Sequence, residues 1–85
     1  MTSEKDRVVL EKFGEHLRSL RESHGLTYRE LSKRSGVNTG DIVKYEKGES
    51  GPTLITLKKL AVGFKMHPIK LLDFEFGIDF KEGLE

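Results

Sequence analysis

The sequence predicts a small all-α domain, on three observations. Apolar residues recur at spacings of three and four in one segment after another, residues able to cap a helix stand before those segments, and Gly or Pro falls at their ends. The 85 residues suffice for one such domain, near the lower limit for a self-sufficient core, so a partner subunit is expected from the outset.

Taken in order, Val9, Phe13, Leu17 and Leu20 keep helical spacing with charged residues between them, and Gly25 follows as a left-handed C-cap. A first helix is expected over roughly 7 to 24, after a flexible N-terminus at 1–6. Thr27 offers a hydroxyl cap with Glu30 three residues on, the reciprocal capping-box spacing, so a second helix runs from Tyr28 to Arg34 or Ser35. Gly36 permits a turn at positive φ, Val37 plugs the angle and Asn38 caps a third helix over 39–47 that buries Ile42 and Tyr45 and stops at Gly48. Two short capped helices joined by a tight Gly-centred turn are the layout of a helix-turn-helix.

Thr53 then caps a fourth helix striped with Leu54, Leu57, Leu60, Ala61 and Phe64. His67 precedes Pro68, the favoured first-turn position for proline, and Ile69, Leu71 and Leu72 supply a short fifth helix. The helical domain thus covers 7–72. In the extension at 73–85 the period changes: Phe74, Phe76, Ile78 and Phe80 alternate with Glu75, Gly77 and Asp79, as in a half-buried strand. No other segment has a strand pattern, so the pattern favours pairing with the same segment of a second copy, a dimerisation strand about a two-fold axis. The alternative is a tail folded over its own domain.

Composition excludes several classes. The chain has no cysteine, hence no disulfide framework, thiolate metal site or thiol nucleophile. Its apolar runs are too short for a signal peptide or a membrane span, so a cytoplasmic protein is expected. His16, His24 and His67 show no ligand spacing, and no acid and nucleophile fall in a catalytic arrangement, so no enzyme, metal, cofactor or small-molecule substrate is expected. The net charge of +1 says little, but its distribution says more. Arg18, Arg21, Arg29, Lys33, Arg34, Lys44 and Lys47 outnumber the acids in the middle of the chain, whereas Asp73, Glu75, Asp79, Glu82 and Glu85 face Lys81 alone at the end. That asymmetry suits one face for phosphate and another that avoids it, although ordinary solvated surface looks the same.

The run Phe-Gly-Glu-His-Leu-Arg-Ser-Leu-Arg-Glu-Ser-His-Gly-Leu-Thr at 13–27, followed by Arg-Glu-Leu-Ser, Gly-Val, Ile42 and Tyr-Glu-Lys-Gly, resembles the Cro and phage-repressor type helix-turn-helix regulators, the XRE family. The likeness continues through Pro52, Leu57, Leu60-Ala61 and His67-Pro68 to Leu71-Leu72. It implies a five-helix, lambda-repressor-like domain from a bacterium or phage, residing at the nucleoid. Such a domain regulates transcription as a homodimer on a pseudo-palindromic duplex DNA operator, through its third helix in the major groove. Three positions depart from the family pattern: Ser32 replaces alanine, Tyr28 replaces glutamine and Lys65 replaces glycine. Ser32 would place a hydroxyl in the helix packing, bonded back to a carbonyl. Lys65 would have to enter the left-handed region, at a cost of about 1 kcal/mol, or the helix would end differently.

The resemblance places Asn38, Thr39, Gly40 and Lys44 toward bases or nearby backbone. Lysine can donate to guanine O6 and N7, Asn38 can pair with an adenine edge if it is not occupied as a cap, and Thr39 can touch a thymine methyl. Gly40 lets the backbone approach the duplex. Asp41 either accepts from cytosine N4 or serves the helix dipole, and it stands three residues from Lys44, close enough to pair. Phosphate contacts are expected from Thr27 and Tyr28, from Arg29 or Lys33, and from Ser50 and Thr53, near helix amino termini that present free N–H groups. Arg21 and Glu46 match a structural ion pair that bridges the first helix to the end of the third. The alternative function is a protein-interaction module such as an antitoxin or regulatory subunit with a protein partner, because the reading helix is poor in arginine and glutamine.

Overall fold

The computed structural model describes residues 3–78 and consists of four α-helices and a 3₁₀ helix: α1 (Glu4–Ser23), α2 (Tyr28–Ser35), α3 (Thr39–Glu46), α4 (Leu54–Phe64) and the 3₁₀ helix (Pro68–Leu72). The fifth helix is therefore a short five-residue 3₁₀ helix that begins at Pro68. Helix α1 starts three residues earlier than apolar periodicity alone marks, because the Ser3 hydroxyl accepts from the Asp6 N–H at 3.1 Å and Glu4 and Asp6 suit the amino end of the dipole. Met1 and Thr2 lie outside the described residues.

The helices pack α1 on α3 and α2 on α4, around a core of Phe13, Leu17, Leu26, Leu31, Val37, Ile42, Tyr45, Leu60, Ala61, Phe64 and Leu71. Two glycines set the closest approaches. A Cβ at Gly14 would lie 2.5 Å from the carbonyl oxygens of both Tyr45 and Glu46, so only glycine lets α1 meet the end of α3. A Cβ at Gly63 would stand 3.0 Å from Ser35 Cβ, where α4 meets α2. The back-bonded serine of α2 is Ser35, which donates to the Leu31 carbonyl at 2.7 Å and accepts from the Val37 N–H at 3.1 Å. Ser32 is only half-buried and does not take that part. Helix α4 ends on Lys65 at φ 56, ψ 45, a left-handed cap taken by a non-glycine residue.

The tail departs from the strand reading. No strand occurs among the described residues. Phe74 packs on the rings of Phe13 (centroids 6.0 Å) and His16 (5.5 Å), and Phe76 stacks on Phe74 at 4.3 Å with the planes 11° apart. The His16 ring also reaches the Lys70 carbonyl, 2.7 Å from Nε2. The apolar alternation is thus answered in part by the domain's own surface: Phe13 and His16, three apart on α1, give Phe74 an aromatic seat on which Phe76 stacks in turn, and Gly77 at φ 73 bends the chain. Ile78 remains exposed, and Phe80 with the rest of 79–85 lies outside the described residues.

Candidate nucleic-acid interface

Helix α3 is short, and its two ends are built differently. At the start, Asn38 Oδ1 accepts from the N–H groups of Gly40 (2.7 Å) and Asp41 (3.3 Å), so its carbonyl oxygen is occupied as the cap. Gly40 follows from that cap, since a Cβ there would lie 2.9 Å from the same oxygen. Thr39, Gly40, Asp41 and Lys44 are all exposed, and Asp41 and Lys44 make no ion pair with each other. Helical spacing puts Gly40, Lys44 and the cap residue Lys47 on one outward stripe opposite the buried Ile42 and Tyr45, with half-buried Val43 on its flank. Lys47 and Val43 were not among the sequence candidates; the spacing of three from Lys44 to Lys47 was the available signal.

Helix α2 opens on a complete capping box. Thr27 Oγ1 accepts from the Glu30 N–H at 3.1 Å, and Glu30 Oε1 accepts from the Thr27 N–H at 3.0 Å. Those bonds to Thr27 hold the exposed Glu30 carboxyl below its ordinary range. The N–H groups of Tyr28 and Arg29 have no intrahelical acceptor at this position, and Arg29 and Lys33 are exposed one turn apart. Thr53 caps α4 by accepting from the Thr56 N–H at 3.2 Å, while Ser50 is half-buried in the loop before it.

At the other end of α3, Glu46 is gripped by the Arg21 guanidinium, Nε to Oε2 at 2.7 Å and Nη2 to Oε1 at 3.1 Å. The remaining arm of Arg21 donates to the Leu26 carbonyl at 2.9 Å. Tyr28 joins this group rather than the solvent. Its hydroxyl donates to Glu46 Oε1 at 2.9 Å, and its ring lies 4.0 Å beneath the Arg21 guanidinium carbon. The bond to Glu46 is the main reason that both the Arg21 and the Tyr28 pKa are pushed up, so each keeps its proton. The hydroxyl expected at a phosphate is therefore engaged inside the domain. Among the described residues no cluster of side chains suits a metal ion and no helix is long and apolar enough to cross a membrane.

With this geometry in place, comparison with known proteins gives a consistent set. The helix-turn-helix family model HTH_3 matches residues 17–71. The HTH-type transcriptional repressor RghR of Bacillus subtilis is 45% identical over 58 residues, 67% of this chain and 43% of that protein. The chain therefore spans less than half the length of that relative. Among solved structures, the restriction-modification controller protein C.AhdI of Aeromonas hydrophila is 34% identical with a TM-score of 0.70, covering 73% of this chain and 94% of that one. The clp gene regulator ClgR of C. glutamicum is 28% identical with a TM-score of 0.68, covering 75% and 83%.

Proposed function

The chain belongs to the HTH_3 helix-turn-helix family, and on that premise we propose that it regulates transcription as a homodimer. Each α3 lies in the major groove of one half of a pseudo-palindromic operator. The observation that carries the reading is the contrast within α3: Thr39, Gly40, Asp41 and Lys44 are exposed while Glu46 at its end is fastened to the scaffold, which is what a helix needs in order to be inserted without being lost from the fold. Lys44 is the principal base contact, to guanine O6 and N7, assisted by Thr39 and Lys47, with Gly40 allowing close approach. Asn38 acts as a cap first, and Asp41 serves the helix dipole. Thr27, the free N–H groups opening α2, Arg29, Lys33, Ser50 and Thr53 position the duplex through its phosphates.

For the dimer, the favoured surface is the outer face of α4 rather than the Phe74 to Phe80 segment, since Phe74 is engaged with its own domain and Phe76 is stacked on Phe74. Ile55 (62% exposed) and Val62 (59%) stand seven residues apart on that face, and Ile69 (65%) lies on the adjoining 3₁₀ helix. Ile55→Glu with Val62→Glu is expected to give a folded monomer in sedimentation. A double variant that stays dimeric would return the interface to the tail.

Selection of bound sequences from random duplex DNA, then salt titration on the winner, tests the reading. Affinity should fall with salt at a slope of about −0.9 per neutralised phosphate. The same exposed apolar face would also serve a foreign protein. Absence of both sequence preference and salt slope would favour that protein-interaction reading.

A further inference from the structure

We propose that Tyr28 is a positioning residue that sets sequence discrimination by tying the phosphate-facing end of α2 to the reading helix, an inference that rests on the DNA-binding reading above. By itself the Arg21–Glu46 pair would join only α1 and α3. The Tyr28 hydroxyl adds the first residue of α2, so three helices converge on one carboxylate whose side chain is only 3% exposed. Among the described residues no other hydrogen bond links the opening of α2 to the end of α3. The phenol is held in place twice, by its bond to Glu46 Oε1 and by the guanidinium 4.0 Å above its ring, so turning it outward to a phosphate would break both contacts.

The consequence follows from how the two kinds of DNA contact divide their work. Phosphate contacts give affinity without sequence information, whereas base contacts require α3 to sit in one register relative to the backbone anchors. The amino end of α2 is one of those anchors, and Glu46 closes α3. A bond between them fixes the offset of anchor and reader. Removing it should therefore leave binding to arbitrary DNA intact and reduce the advantage of the preferred site. A tyrosine contacting phosphate would instead contribute equally to both.

Tyr28→Phe in the full chain makes the separation, because it keeps the ring beneath Arg21 and deletes only the hydroxyl. Binding is measured to the best duplex from selection and to a scrambled duplex of the same composition, with thermal unfolding followed without DNA. The expected result is scrambled-duplex affinity within about twofold and selected-duplex affinity lower by about tenfold, the scale of one hydrogen bond to a charged group. In the absence of DNA, Tm should fall by about 4–8 °C. Equal losses on both duplexes, or no loss on either, would overturn the positioning role, as would an unchanged Tm. If the unmodified chain itself fails to distinguish the duplexes, the DNA-binding reading falls and the specificity role with it, while the Tm shift still reports whether the tie to Glu46 is real.

Discussion

At its carboxyl end α3 is held from two helices, by the Arg21 fork and the Tyr28 hydroxyl on Glu46 and by the close passage of Gly14 beneath the last carbonyls. One to two turns upstream Thr39, Gly40 and Asp41 have only the Asn38 cap and solvent around them, and on the same outward side Lys44 is exposed within the last turn itself. The anchored end uses glycine, a buried charge and long-range bonds, the free end short polar side chains and one lysine. Stability and the proposed recognition thus fall on different residues of the same eight-residue helix. Substitutions at one end should move Tm, and those at the other should move only binding.

The largest test of that division is Arg21→Ala. It leaves the Glu46 carboxylate buried with a single donor from Tyr28, and breaking a buried pair in this way costs about 3–5 kcal/mol. Tm and operator affinity should fall together. Lost binding with an unchanged Tm would instead put Arg21 among the DNA contacts and dissolve the contrast.

Gly14→Ala probes the same end without touching charge. The new methyl would meet two backbone carbonyl oxygens at 2.5 Å, and backbone cannot swing aside as a side chain can. Overpacking of this kind costs about 1–3 kcal/mol, against a gain of about 1 kcal/mol in helix propensity. Unfolding monitored by circular dichroism should show a net loss. A variant as stable as the parent would mean that α1 and α3 slide freely over each other.

The two ends also differ in how far they could be foreseen. Capping signals are local, so Thr27 with Glu30, Gly36 at φ 76 and Asn38 are legible from a few neighbouring residues. Lys65 is only half legible in this way: it stands where the family pattern has glycine, but nothing in its neighbours decides between a left-handed cap and a different helix end. Gly14 carries no such mark: a glycine among good helix formers becomes meaningful only when another backbone passes within contact distance. The partner of the Tyr28 hydroxyl lies 18 residues away and is equally silent in local pattern. The tail misleads for a related reason. Alternation of Phe74, Phe76 and Ile78 reports that one side is apolar, but not what covers it: Phe13 with His16 covers Phe74, Phe76 stacks on Phe74, and Ile78 stays exposed.

On the free side, Lys44→Ala should lower operator affinity by about 1–3 kcal/mol and relax preference at one base pair. Its side chain is exposed and unpaired, so stability should stay within about 0.5 kcal/mol of the parent. Fluorescence anisotropy on operator variants, set beside the melting curve, checks both halves of the expectation. A fall in Tm would show that the exposed stripe also serves the fold.

The smallest effect falls at the boundary between the two roles, on Asn38. Its Oδ1 holds two N–H groups of the first turn, and an alanine there should cost about 1 kcal/mol of stability. Alanine cannot say whether the amide also reads a base, because a frayed first turn would weaken every contact after it. Serine can: its hydroxyl caps nearly as well but offers no amide donor. Asn38→Ser is therefore expected to keep both Tm and the preferred sequence. Loss of an adenine preference at one position with Tm retained would assign base reading to a capping residue and show that the exposed end of α3, unlike the anchored end, shares one side chain between holding the helix and reading the groove.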